Sequence, residues 1–176
     1  LNFRCKFDSC RGYKTKIMKF FIIIVFSFYS LGDYLKKGIN KYKKGKYKKT
    51  ITFLLKHKKI KKTEDYYFYI GNSYSLINNN INAITYYDSA IILNLKNDRN
   101  FSERGLSYFL LGNSKKALED FNKAININPK NSKYYVNRGT INYDLENYEQ
   151  ACLDWKKSIL LDKKNINLKM IETNCN

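Results

Sequence analysis

The chain has 176 residues, 44% hydrophobic and 27% charged, with one proline and eight glycines. That composition sets aside disordered and collagen-like classes and points to a globular, helix-leaning chain able to bury a core. The formal charge of +18 would read as a nucleic-acid signature, but residues 1–63 hold nineteen Lys or Arg against Asp8 and Asp33, whereas residues 64–176 hold fourteen against thirteen acids. The basicity belongs to the N-terminal third. Codon bias competes with function as its source, because Lys, Asn, Ile, Tyr and Phe are all abundant and all AT-rich. Cys5, Cys10, Cys152 and Cys175 match neither a zinc spacing nor a CxxC pair, so the redox compartment is not readable from them.

In chain order, residues 1–17 form a basic leader that begins with Leu, and Met18 opens a better signal sequence than anything upstream. Residues 18–32 read as a signal peptide or short membrane anchor. The apolar run from Phe20 to Leu31 is twelve residues, inside the roughly 7 to 15 of a signal core and short of the roughly 20 that span a bilayer. Ser30 and Gly32 meet the small-x-small rule for cleavage after Gly32. The lysines that follow oppose export, since positive charge behind an apolar segment tends to stay cytoplasmic. A buried N-terminal helix of a cytosolic protein is the competing reading.

The rest of the chain is repetitive. Tyr67, Gly71, Tyr74, Ala83, Tyr87 and Ala90 recur 34 residues later as Phe101, Gly105, Tyr108, Ala117, Phe121 and Ala124. A second step reaches Tyr135, Gly139, Asn142 with Tyr143 beside it, Ala151, Trp155 and Ser158. The units are 64–97, 98–131 and 132–165. A degenerate unit, 31–63, keeps Tyr34, Gly38, Tyr42 and the turn Gly45-Lys46-Tyr47 but runs one residue short. Within a unit the small residues mark a close crossing of two antiparallel helices and the aromatics fill the space around it. Gly112-Asn113-Ser114 supplies a helix stop and a cap, reused at Asn78-Asn79-Asn80 and Glu146-Asn147-Tyr148. Asn100 with Glu103 has the form of a capping box, and Pro129 ends its unit. Residues 166–176 form a short capping helix or tail, with Ile166, Met170 and Ile171 on one side.

Numbered from Asp98, the unit has Phe101 at position four, Gly105 at eight, Tyr108 at eleven, Ala117 at twenty, Phe121 at twenty-four, Ala124 at twenty-seven and Pro129 at thirty-two. This resembles the tetratricopeptide repeat family at every signature position except the seventh, where Arg104 replaces the usual Leu. The resemblance implies an all-α fold, an alpha-alpha superhelix of about four stacked antiparallel helical hairpins, whose first helices line a concave groove. It also implies a non-enzymatic scaffold or adaptor that binds a protein or peptide. At the groove-lining positions of that family stand Phe68, Tyr69, Asn72, Arg99, Glu103, Lys133, Asn137 and Tyr143. Some members grip a C-terminal carboxylate with a set of Lys, Asn and Arg. Here Leu35, Ile39, Tyr69, Arg99 and Glu103 stand in those places, so that clamp is not expected.

Catalytic chemistry has little to work with. One histidine, His57, excludes a His-metal cluster by count, no GxGxxG or GxxxxGK loop is present, and neither metal nor cofactor is expected. The second candidate surface is the basic patch Lys36, Lys37, Lys41, Lys43, Lys44, Lys46, Lys48, Lys49, Lys58, Lys59, Lys61 and Lys62. It would attract an anionic membrane surface, with nucleic acid or another polyanion as the alternative. Location is expected to be exported or membrane-associated, the alternative being cytoplasmic.

Overall fold

The computed structural model describes residues 33–57 and 60–162, together with Thr173 and Cys175. The leader, the segment 18–32, Lys58, Lys59 and nearly all of the tail expected to cap the stack lie outside the described residues. Eight helices and no strands are present among the described residues: α1 (residues 33–43), α2 (Tyr47–Lys56), α3 (Glu64–Ser75), α4 (Asn80–Leu93), α5 (Asp98–Leu110), α6 (Ser114–Ile127), α7 (Ser132–Asp144) and α8 (Tyr148–Leu161). Neighbours in sequence pack as antiparallel hairpins. α3 also touches α5 and α5 touches α7, so the first helices of successive hairpins form one continuous layer. No helix among the described residues is long and apolar enough to cross a membrane.

Each hairpin turns through the same backbone geometry. Gly45, Asn78, Gly112 and Glu146 all have φ between 61° and 77°, the left-handed region that ends helices. At Gly112 the amide donates to the Phe109 carbonyl at 2.8 Å and the next amide, of Asn113, donates to Tyr108 at 2.9 Å. Asn79 and Asn113 then cap the following helix by accepting from the Asn82 and Lys116 amides. Gly45 stands 33 rather than 34 residues before Asn78, the residue missing from the degenerate unit.

The joints between hairpins are built from acids and asparagines. The Glu64 carboxylate accepts from Asn94 at 2.6 Å, from Asn100 at 2.9 Å and from Asn97. One unit later Asp98 accepts from Asn128 at 2.8 Å and from the Tyr134 hydroxyl at 2.7 Å. The carboxylate that opens one hairpin thus holds both the end of that hairpin and the start of the next. These bonds overturn the capping box expected from Asn100 and Glu103. Asn97 is the cap of α5, accepting from the Arg99 amide at 3.0 Å, and Asn100 is fully buried with its amide spent on Glu64. A helix end takes the nearest side chain that reaches its free amides, and Asn97 lies one residue before the first helical turn.

The core follows the small-large alternation. Ala83, Ala90, Ala117, Ala124 and Ala151 are fully buried against Tyr87, Phe121 and Trp155, which are at most 2% exposed. Arg104 breaks that apolar pattern for a reason. Its guanidinium forms two parallel bonds to Asp120, each 2.7 Å, and a third of 2.6 Å to Asp88 of the preceding hairpin. Burial by itself lowers the Arg104 pKa, but the bonds to Asp120 and Asp88 outweigh it and raise the pKa on balance. Arg138, one step later, repeats the motif with Asp154 at 2.9 and 2.6 Å and with Asn122 at 2.6 Å. Each arginine locks its own hairpin and clips it to the one before.

Candidate functional site

The first helices bring Tyr42, Tyr69, Arg99, Glu103 and Lys133 together from α1, α3, α5 and α7. Tyr42 meets Tyr69 edge-on at 5.1 Å between ring centres. Glu103 lies within electrostatic reach of Tyr42, Arg99 and Lys133. Burial pushes the Glu103 carboxyl above its ordinary value, and the two cations only partly oppose the shift. The Tyr42 hydroxyl is also pushed up, first by burial and then by Glu103. Arg99 and Lys133 are exposed and Asn137 is half-buried on α7. The result is a cluster, drawn from four helices, of two tyrosine rings, a carboxylate and two cations. Its chemistry suits apolar anchoring combined with charge recognition.

Three residues expected to meet a partner are occupied internally. Phe68 is 3% exposed, packs with Ala83, Tyr87 and Ala90, and has the Arg99 guanidinium 4.4 Å above its ring. Asn72 is buried and accepts a 2.9 Å hydrogen bond from the Tyr87 hydroxyl. Tyr143 packs on Trp155 and Tyr148 in the cluster at the last hairpin. In each case a neighbouring helix covers the side chain that the position within the unit would expose. Conversely Tyr42 was missed, although it stands at position twelve of the first unit, the position that selected Tyr143.

The basic patch is not uniform either. Lys37 is paired with Asp33 at 2.8 Å, and Lys36, Lys43, Lys44, Lys46, Lys61 and Lys62 are exposed on α1 and the loops. Lys41, Lys48, Lys49 and Lys56 instead line a cleft of about 440 Å³ with Thr52, Phe53 and His57. At the far end of the stack a disulfide joins Cys152 of α8 to Cys175, 5.5 Å apart between Cα atoms, so two cysteines distant in sequence are brought together. No group of three or more His, Cys, Asp or Glu among the described residues could hold a metal ion.

Two family models described as tetratricopeptide repeat match the chain, one over residues 101–131 and one over 132–165. No curated protein matches it in sequence. Among solved structures it is similar to MamA, 24% identical, with 76% of this chain and 79% of that one covered and a TM-score of 0.72. It is also similar to the Arabidopsis OM64 TPR domain, 28% identical over 63% of this chain and 92% of that one, with a TM-score of 0.61. A third is the first TPR of Spaghetti (RPAP3) bound to the HSP90 peptide SRMEEVD, 24% identical over 63% and 91%, with a TM-score of 0.60. With hairpins recurring at a 34-residue step, one turn geometry throughout and two adjacent units matched by the family models, residues 101–165 are tetratricopeptide repeats and the described hairpins share the fold of that family.

Proposed function

We propose that the protein is a non-enzymatic scaffold that holds a protein partner, as an extended or helical peptide, against its concave face. The observation that carries this reading is the convergence of Tyr42, Tyr69, Arg99, Glu103 and Lys133 from four different helices in one cluster. The RPAP3 domain, bound to the peptide SRMEEVD, is a case of the same fold holding a peptide. Tyr69 and Glu103 stand where a carboxylate clamp would need cations or amides, so the partner differs from an acidic tail and bears apolar anchors with mixed charge. Aromatic anchors in desolvated sites often contribute about 2 kcal/mol or more each. In peptide display the wild type should select a consensus sequence, and Tyr42→Ala with Tyr69→Ala should weaken its binding at least about 100-fold while helical circular dichroism persists. Unchanged binding by that variant would sink the groove reading.

The reading extends to location: the protein works outside the cytosol or at a membrane surface. The apolar run before α1 supports this, and so does the Cys152–Cys175 disulfide, a bond that persists in oxidising compartments. N-terminal sequencing after fractionation should find either a mature chain starting at Asp33 or an intact chain in the membrane fraction, with Cys152 oxidised. A soluble, fully reduced cytosolic chain retaining residues 18–32 is the contrary result.

A further inference from the structure

The cleft between α1 and α2 carries a concentration of charge that peptide binding on the concave face does not use. Lys48, Thr52 and Lys56 follow one another at four-residue intervals along α2, with Lys49 and Phe53 beside them and Lys41 facing them from α1. The lysines on α2 span about 12 Å of helix at 1.5 Å per residue. Among the described residues none of the four lysines has an acid within ion-pair distance. The only acid between residues 33 and 62 is Asp33, which Lys37 already holds at 2.8 Å. Four lysines thus line a cleft of about 440 Å³ together with Phe53.

Resting on the membrane-surface reading above, we propose that this cleft seats the phosphate headgroups of anionic phospholipids, giving the protein a second hold on the surface beside its apolar segment. The alternative polyanion, a single-stranded nucleic acid, binds by stacking bases on aromatic rings. Phe53 is not available for that. The Lys41 ammonium lies 5.0 Å from its ring centre, and His57 and Tyr34 pack on it at 4.4 and 6.3 Å. What remains open to a ligand is the charge of the four lysines, complementary to a phosphate headgroup. Placement supports the same ligand. The apolar run ends at Leu31, two residues before α1 begins, and Tyr34 in the first turn of α1 stacks on His57 of the cleft at 4.6 Å. A bilayer that received the apolar run would therefore lie close to the His57 end of the cleft, where surface potential acts within a Debye length of roughly 10 Å.

The test is co-sedimentation of the full chain with vesicles of phosphatidylcholine alone and of phosphatidylcholine mixed with phosphatidylglycerol. The wild type should prefer the anionic vesicles. Each surface-facing lysine is worth roughly a fivefold change in partitioning. Lys41→Gln, Lys48→Gln, Lys49→Gln and Lys56→Gln together should therefore reduce that preference at least about 100-fold with helicity unchanged. Lys43→Gln, Lys44→Gln, Lys61→Gln and Lys62→Gln remove the same charge outside the cleft and should leave most of it. Equal losses in the two variants would mean diffuse attraction and overturn the site. So would displacement by soluble glycerol phosphate as effective as by lipid, or tighter binding of a single-stranded oligonucleotide than of anionic vesicles. The location reading fails separately. A cytosolic chain whose cleft lysines still govern vesicle binding would refute the location alone, and a membrane-bound chain indifferent to them would refute the cleft alone.

Discussion

Arg104→Ala is expected to lower the unfolding free energy by about 3–5 kcal/mol in urea denaturation, enough to drop the melting temperature by roughly 10 °C or more. The substitution removes both bonds to Asp120, whose side chain is 3% exposed, and leaves that carboxylate buried without its counter-charge. It also severs the 2.6 Å link to Asp88, so the second and third hairpins lose a clip as well. Arg104→Leu combined with Asp120→Leu should recover most of the loss. An apolar pair of similar volume carries no desolvation penalty, and Leu is the residue the family uses at this position. A double-mutant cycle reads the coupling directly. Additive losses would show that the two side chains do not act as a unit. Added salt should change the result little, because the pair is screened far less than a surface pair.

Gly139→Ala is expected to cost about 1–3 kcal/mol by thermal or chemical denaturation, from overpacking alone. A methyl group at Gly139 would sit 2.6 Å from Cδ1 and Nε1 of Trp155 and 3.1 Å from the Ala151 carbonyl oxygen. Trp155 cannot easily retreat, being 2% exposed with its indole N–H donating to the Val136 carbonyl at 3.3 Å. The same methyl should be better tolerated beside a smaller ring. At the equivalent Gly105 the nearest atom of the facing Phe121 is 3.3 Å away. Trp155→Phe should therefore reduce the cost of Gly139→Ala. Equal costs in the two backgrounds would mean that the backbone, not the indole, resists the methyl.

The repeat was legible in the sequence because its physics is local. A 34-residue step of small and aromatic residues marks where two helices cross, and Gly112 with Asn113 marks where one stops and the next begins. Helices α3, α5 and α7 accordingly begin at Glu64, Asp98 and Ser132, the first residues of the three clear units. The surroundings of the proposed groove residues were legible only in part. Position in a unit fixes the direction in which a side chain leaves its own helix, which is how Tyr69, Arg99, Glu103 and Lys133 come to neighbour one another through Tyr42 and Glu103. It does not say what an adjacent helix lays over that side chain. Arg99 came to rest on Phe68, Tyr87 bonded to Asn72, and Trp155 took Tyr143.

By itself, then, the sequence determined the helical hairpins, their 34-residue spacing and their family, since each depends on residues within one unit. Tertiary structure decided what depends on residues from different units or from distant parts of the chain. It showed that Arg104 is a clip and not a flaw in the pattern, and that Asn97 rather than Asn100 caps its helix. It paired Cys152 with Cys175. Of thirteen lysines between Lys36 and Lys62, it gathered four around Phe53. Composition counts charges, but only packing brings them within reach of one ligand.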